Sequence, residues 1–153
     1  MNRVYTYTKK EEVVNAITHG IGAALSFAAL ILMIVFSITN GAGDRLSVVL
    51  VYGISMLMLF TFSTLTHAFP EGKVKVIMEF FDHTSIYLFI AGTYTPYAII
   101  AIGGKTGYAL LAIIWTLAIV GIVFKAIFLR KFVILSTIIY IIMGWLIFVA
   151  WEP

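Results

Sequence analysis

Ionisable residues in this chain are so sparse and evenly placed that they leave five uncharged stretches, each about as long as a membrane crossing. His19 and Asp44 are separated by 24 residues free of Asp, Glu, Lys, Arg and His; Arg45 and His67 by 21; His83 and Lys105 by 21; Lys105 and Lys125 by 19; Lys131 and Glu152 by 20. A helix rises about 1.5 Å per residue, so roughly 20 residues cross a hydrocarbon core of about 30 Å. Lipid offers the backbone no hydrogen-bond partners. Each stretch must therefore be a helix, which overrides the strand preference of β-branched runs such as Val48-Val49-Leu50-Val51. The expected fold is all-α, a multi-span transmembrane helix bundle. It forms one domain over residues 1–153, with spans near 20–43, 46–66, 84–104, 106–124 and 132–151.

Composition closes off the other classes. The chain is 62% hydrophobic and 11% charged. A soluble domain carries about 25% charged residues, and one of this size would leave large apolar patches in water. A soluble enzyme, a disordered tail and a nucleic-acid binder are excluded, and membrane lipids are the expected partners. There are no cysteines, so disulfides, thiolate nucleophiles and cysteine metal sites are excluded as well. The first apolar stretch is too long for a signal peptide, and Glu11 and Glu12 interrupt its basic leader, so it reads as a retained span. Thr8 followed by Glu11 fits a capping box, which starts the first helix just after Thr8. Short connections are expected at 39–45, 68–81, 103–106 and 125–131.

The basic residues set an orientation. Arg3, Lys9, Lys10, Lys73, Lys75, Lys125, Arg130 and Lys131 fall on one side of a five-span chain, and only Arg45 and Lys105 on the other. Cytoplasmic loops carry the Lys/Arg excess, so the expectation is a cell-membrane protein with its N terminus in the cytoplasm and its C terminus outside.

Polar residues gather at that same inner side. Glu12, Asn15 and His19 form a stripe at the start of the first helix. Ser63 and His67, four apart, share a face at the end of the second. Asp82 and His83 open the third span. Ionisable groups at membrane depth are costly and point to function. Plainer readings stand beside this one. His19 and His67 equally suit interfacial anchors. Asp82 suits an N-cap or a dipole partner for the third helix, His83 faces another direction, and Ser63 suits a bond back to a helix carbonyl. Glu11 and Glu12 suit half-solvated local pairs with Lys9 and Lys10. Gly20, Ala24 and Ala28 read as a packing stripe, Pro96 as a kink, and Tyr140, Trp145 and Trp151 as lipid-facing or interfacial aromatics.

The segments Glu12-x-x-Asn15-x-x-Thr18-His19, Ser63-x-x-x-His67, Asp82-His83-Thr84-Ser85-Ile86-Tyr87 and Ala91-Gly92-Thr93-Tyr94-Thr95-Pro96 occur in this order, each at the matching end of a span. The sequence resembles the hemolysin III family, within the wider progestin and adiponectin receptor superfamily. That resemblance covers essentially the whole chain. It implies seven membrane helices with a cytoplasmic N terminus and a metal site, usually zinc, in the inner half of the membrane. It implies His67 as a metal ligand, with Ser63 and Asp82 holding or activating a bound water as catalytic residues. Related receptors are similar to ceramidases, which implies metal-dependent hydrolysis of a lipid amide or lipid sensing. The family name implies a different class, a cytolysin that perturbs membranes without catalysis. The family's last helix carries an HxxxH pair that supplies two more ligands. The histidines here are His19, His67 and His83, with no such pair. The expectation is therefore that this chain holds five spans of the seven, and that zinc binds it weakly or not at all.

Overall fold

In the computed structural model, which describes residues 7–129 and 131–150, the helices begin where the sequence supplies a cap or a break. α1 spans Lys9–Thr39. Thr8 caps it: its hydroxyl accepts from the Glu11 backbone N–H, and the Glu11 carboxylate accepts from the Thr8 N–H at 2.7 Å, so the expected capping box is formed. After a short 3₁₀ turn at Gly43–Arg45, α2 runs over Leu46–Ala68. The break around Pro70 and Gly72 is brief, and α3 runs over Lys73–Pro96. α4 spans Gly104–Phe128, and α5 spans Val133–Trp145, continuing as a 3₁₀ turn over Leu146–Ala150. Among the described residues there is no strand.

Four of the five helical tracks are long and apolar enough to cross a membrane: Lys9–Thr39, Gly43–Ala68, Lys73–Ile102 and Gly104–Phe128. The fifth, Val133–Phe148, is apolar but shorter. Large apolar side chains such as Leu25, Phe27, Ile31, Ile119, Ile127 and Ile134 stand exposed on the outside of the bundle. That outer surface suits lipid contact rather than water. Arg3, Arg130 and Trp151 lie outside the described residues.

Three boundaries differ from the sequence reading. The connection expected at 68–81 shrinks to four residues, because nothing after Gly72 breaks a helix. Asp82 consequently sits inside α3, about 14 Å from its first residue. It neither caps the helix nor sits at its dipole end; the N-cap is Gly72. α4 likewise runs on through Lys125 to Phe128. Pro96 falls at the end of α3, where the chain continues helical over Tyr97–Ile102 in a wider π turn closed by the Gly103 N–H on the Ala98 carbonyl at 2.9 Å.

Sequential helices pack side by side, α1 on α2, α2 on α3 and α3 on α4, while α5 returns against α3 and α4. The buried core is made by Tyr87, Ala91 and Tyr94 of α3, Leu110, Ile114 and Ala118 of α4, and Met143 of α5. α1 and α2 interlock reciprocally. A Cβ on Gly22 would come within 2.5 Å of the Phe60 ring, and one on Gly53 within 2.5 Å of Leu30. The packing stripe of α1 is thus Gly22, Ser26 and Leu30. Gly20 still rests on Thr64, but Ala24 and Ala28 face outward, contrary to the expected stripe. The register is set by the bulk of Phe60, which lies where a side chain at Gly22 would be.

Tyr140 also departs from expectation. It points inward, its ring 4.5 Å from that of Tyr87, and its hydroxyl donates to the His83 carbonyl at 3.0 Å. A tyrosine on α5 reaches its hydrogen-bond partner only by turning toward α3. Trp145 is exposed, as expected.

Candidate functional site

Because α1, α2 and α3 alternate in direction, the start of α1, the end of α2 and the start of α3 come together at one end of the bundle. Glu12 joins all three. Its Oε2 accepts from His67 Nδ1 on α2 at 2.6 Å, and its Oε1 accepts from Lys75 Nζ on α3 at 2.6 Å. The side chains are shielded, with 11% of His67, 17% of Glu12 and 6% of Lys75 exposed, so the charges meet where water screens them little. Lys75 also lies 3.7 Å from Glu71, one turn earlier on its own helix. The expected local pairing of Glu12 with Lys9 and Lys10 gives way to this network, because the inward stripe of α1 aims Glu12 at α2 and α3.

The His67 ring is gripped from two further sides. The Tyr7 ring meets it edge-on at 5.3 Å, and the His19 ring lies 5.9 Å away. His19 Nδ1 is buried without a hydrogen-bond partner among the described residues. Deeper in, the Asp82 carboxyl lies against the Ser63 hydroxyl and within electrostatic range of His83, His67 and His19. Ser63, His67 and Asp82, singled out by their place at the helix ends and by the family resemblance, share one end of the bundle. His83, read from the sequence as facing another direction, still acts electrostatically on Asp82. The adjacent residue on a helix points about 100° away, but the side chain is long enough to stay near.

A second buried cation stands at the same end, between α3 and α4. Lys125 is 1% exposed, its Nζ 3.4 Å from the Leu129 carbonyl and opposite Glu79. Lys75 and Lys125, read from the sequence as loop charges, are both turned inward.

Sequence reasoning passed over Glu12 as a partner of His67, and took Lys75 only as a loop charge. Glu12 carried a signal, since it shares the stripe of His19. Lys75 carried none, because its segment was read as a connection.

Zinc asks for three protein ligands in a catalytic site. Among the described residues no three His, Asp or Glu side chains converge as an ion-holding group. Glu12 is engaged by Lys75 and His67, and Asp82 by Ser63. His67 is one candidate ligand, and the others do not complete a set around it.

Long apolar helices with lipid-compatible faces and a shielded polar cluster at one end define a multi-span helical membrane protein. The haemolysin-III-related family model matches residues 7–153, and the chain belongs to that family. It is 54% identical to Hemolysin-3 of Bacillus cereus over 144 residues, which is 94% of this chain and 66% of that protein. It is 46% identical to the Hemolysin-3 homolog of Bacillus subtilis (strain 168) over 147 residues, covering 96% of this chain and 69% of the relative. The chain thus spans about two thirds of the length of these curated relatives. No solved structure matches it. Membership is consistent with the progestin and adiponectin receptor superfamily.

Proposed function

We propose that this chain is a cell-membrane protein with a cytoplasmic N terminus, and that its polar cluster recognises membrane lipid at headgroup depth. The supporting observation is Glu12, which draws His67 and Lys75 from two other helices into one shielded network at the basic end of the bundle. Such groups are expensive at membrane depth and are kept where they meet a polar ligand. The molecules that reach this depth are lipids. Donors and acceptors on Lys75, Ser63, Asp82 and His67 suit a lipid whose polar part both gives and takes hydrogen bonds, such as an N-acyl amide. Hydrolysis of that amide through zinc would need ligands beyond His67, so the recognition reading rests on hydrogen bonding alone.

The test is thermal unfolding in phosphatidylcholine vesicles with and without an N-acyl lipid amide. The expected result is a rise in melting temperature for the native chain that is lost in Asp82→Asn and His67→Ala. An equal rise in all three would overturn it. The orientation is checked by reporter fusions at residues 40–42 and 69–72, which should report opposite faces.

A second reading, membrane perturbation without chemistry, draws on the printed names of the Bacillus relatives. Dye release from vesicles separates the two. Release by the native chain and by His67→Ala alike supports perturbation.

A further inference from the structure

The 2.6 Å contact between Glu12 Oε2 and His67 Nδ1 has a chemical sense of direction. An ionised carboxylate accepts hydrogen bonds and has no hydrogen to give. Lys75 holds the other oxygen of Glu12 at 2.6 Å, and an ammonium donates only. The proton between Glu12 and His67 must therefore belong to the imidazole. We infer that Glu12 is a positioning residue for His67: it holds the ring as the Nδ1–H tautomer and leaves Nε2 as the one nitrogen with a lone pair to offer.

Neutral imidazole in water favours the opposite tautomer, so the arrangement is imposed by the fold. Three features impose it. The hydrogen bond is shielded, with little of either side chain exposed. Lys75 fixes the carboxylate from behind, itself backed by Glu71 at 3.7 Å. Tyr7 and His19 fix the plane of the ring. A histidine whose second nitrogen is tied to a carboxylate has its orientation set before any ligand arrives. The group suited to Nε2 is a hydrogen-bond donor, such as the N–H of a lipid amide, and His67 meets it with no rearrangement of its own.

This inference rests on the reading of the cluster as the working part of the protein, but its test does not require lipid recognition. The chain is labelled with ¹⁵N-histidine, placed in lipid bilayers at pH 8.5 and studied by solid-state NMR, with His67→Gln assigning the resonance. The native His67 should show a protonated Nδ1 and an unprotonated Nε2. Glu12→Leu should move the proton to Nε2. Glu12→Gln combined with Lys75→Met, which frees the amide oxygen for His67, should restore the native pattern. A structural role alone would not produce that restoration. A native ring protonated at Nε2, or a Glu12→Leu spectrum identical to the native one, overturns the inference. If Glu12→Leu does not fold, Lys75→Met, expected to keep Nδ1–H, decides with the native spectrum. Absence of a lipid effect on melting defeats the recognition reading and leaves this one standing.

Discussion

Glu12 and Lys75 are 63 residues apart in sequence, yet their side chains meet at 2.6 Å. The contact spans α1 and α3, helices that otherwise touch chiefly through α2 between them. It therefore ties this end of the bundle together across its middle helix.

Replacing Glu12 with Leu should destabilise the folded chain strongly. Lys75 would keep a 6% exposed ammonium with only the more distant Glu71 near it. Breaking a buried pair by removing one partner costs about 3–5 kcal/mol, and the remaining carboxylate places this case at the low end. Lys75→Met in the same background should recover most of the loss. Chemical unfolding in detergent micelles measures both. A Glu12→Leu chain as stable as the native one would show that the pair contributes nothing.

Gly121 should not tolerate even a methyl group. A Cβ there would overlap the Tyr87 ring, which is fully buried and has nowhere to move. Overpacking of this kind costs about 1–3 kcal/mol. Gly144→Ala is the control, since nothing lies within 4 Å of its Cβ. Thermal melts that rank the two substitutions equally would contradict the close approach of α3 and α4.

On α1, Gly22→Val should weaken the bundle, while Ala24→Val should leave it unchanged. The first drives atoms into Phe60, whereas the second adds them to the exposed face. The yield of folded protein after extraction reads the difference, and equal loss at both positions would revive the stripe drawn from spacing.

Tyr94→Phe should loosen α5. The Tyr94 hydroxyl donates to the Met143 carbonyl at 2.7 Å, with the Gly144 carbonyl at 2.9 Å, and accepts from the Ile147 N–H at 2.8 Å. It satisfies the backbone where α5 changes to a 3₁₀ turn. Leaving such buried groups unpaired costs about 1–3 kcal/mol. Faster amide exchange at Ile147, with α1 unaffected, is the expected signature. Unchanged exchange there would count against it.

Much of this was legible in the sequence. The uncharged stretches at 46–66 and 106–124 fall within α2 and α4, because membrane thickness is a fixed ruler, while the stretch at 20–43 covers only the second part of α1 and runs past its end. Thr8 and Glu11 showed the start of α1, because capping depends on residues three apart. Ser63 and His67 were legible as one face, because helical spacing fixes it. The long-range partners were not. Nothing in a period of 3.6 says that Glu12 turns to Lys75 rather than Lys9, or that Tyr140 bonds the His83 carbonyl. The α1 stripe failed for a related reason. Gly20 with Ala24, and Gly22 with Ser26 two positions on, are equally good grooves until Phe60 selects one. Asp82 was misplaced because apolar residues flank Lys75, and a helix extends through lone charges when they turn inward to a partner.

The corner between α3 and α4 carries a consequence for how the protein can be cut or extended. Gly103 has φ 65° and ψ −173°, a region open essentially to glycine, and Gly104 has φ 57°. The Gly103 N–H is bonded back to Ala98, and the Gly107 N–H to Gly103 at 2.9 Å. A tip this short, with its amides already engaged, presents no slack strand to a protease and no place to splice in a tag without unwinding the π turn behind it. Nicking and insertion should instead succeed in the stretch between α2 and α3, so two halves cut there should still assemble through the packed faces of α2 and α3 and the Glu12–Lys75 contact.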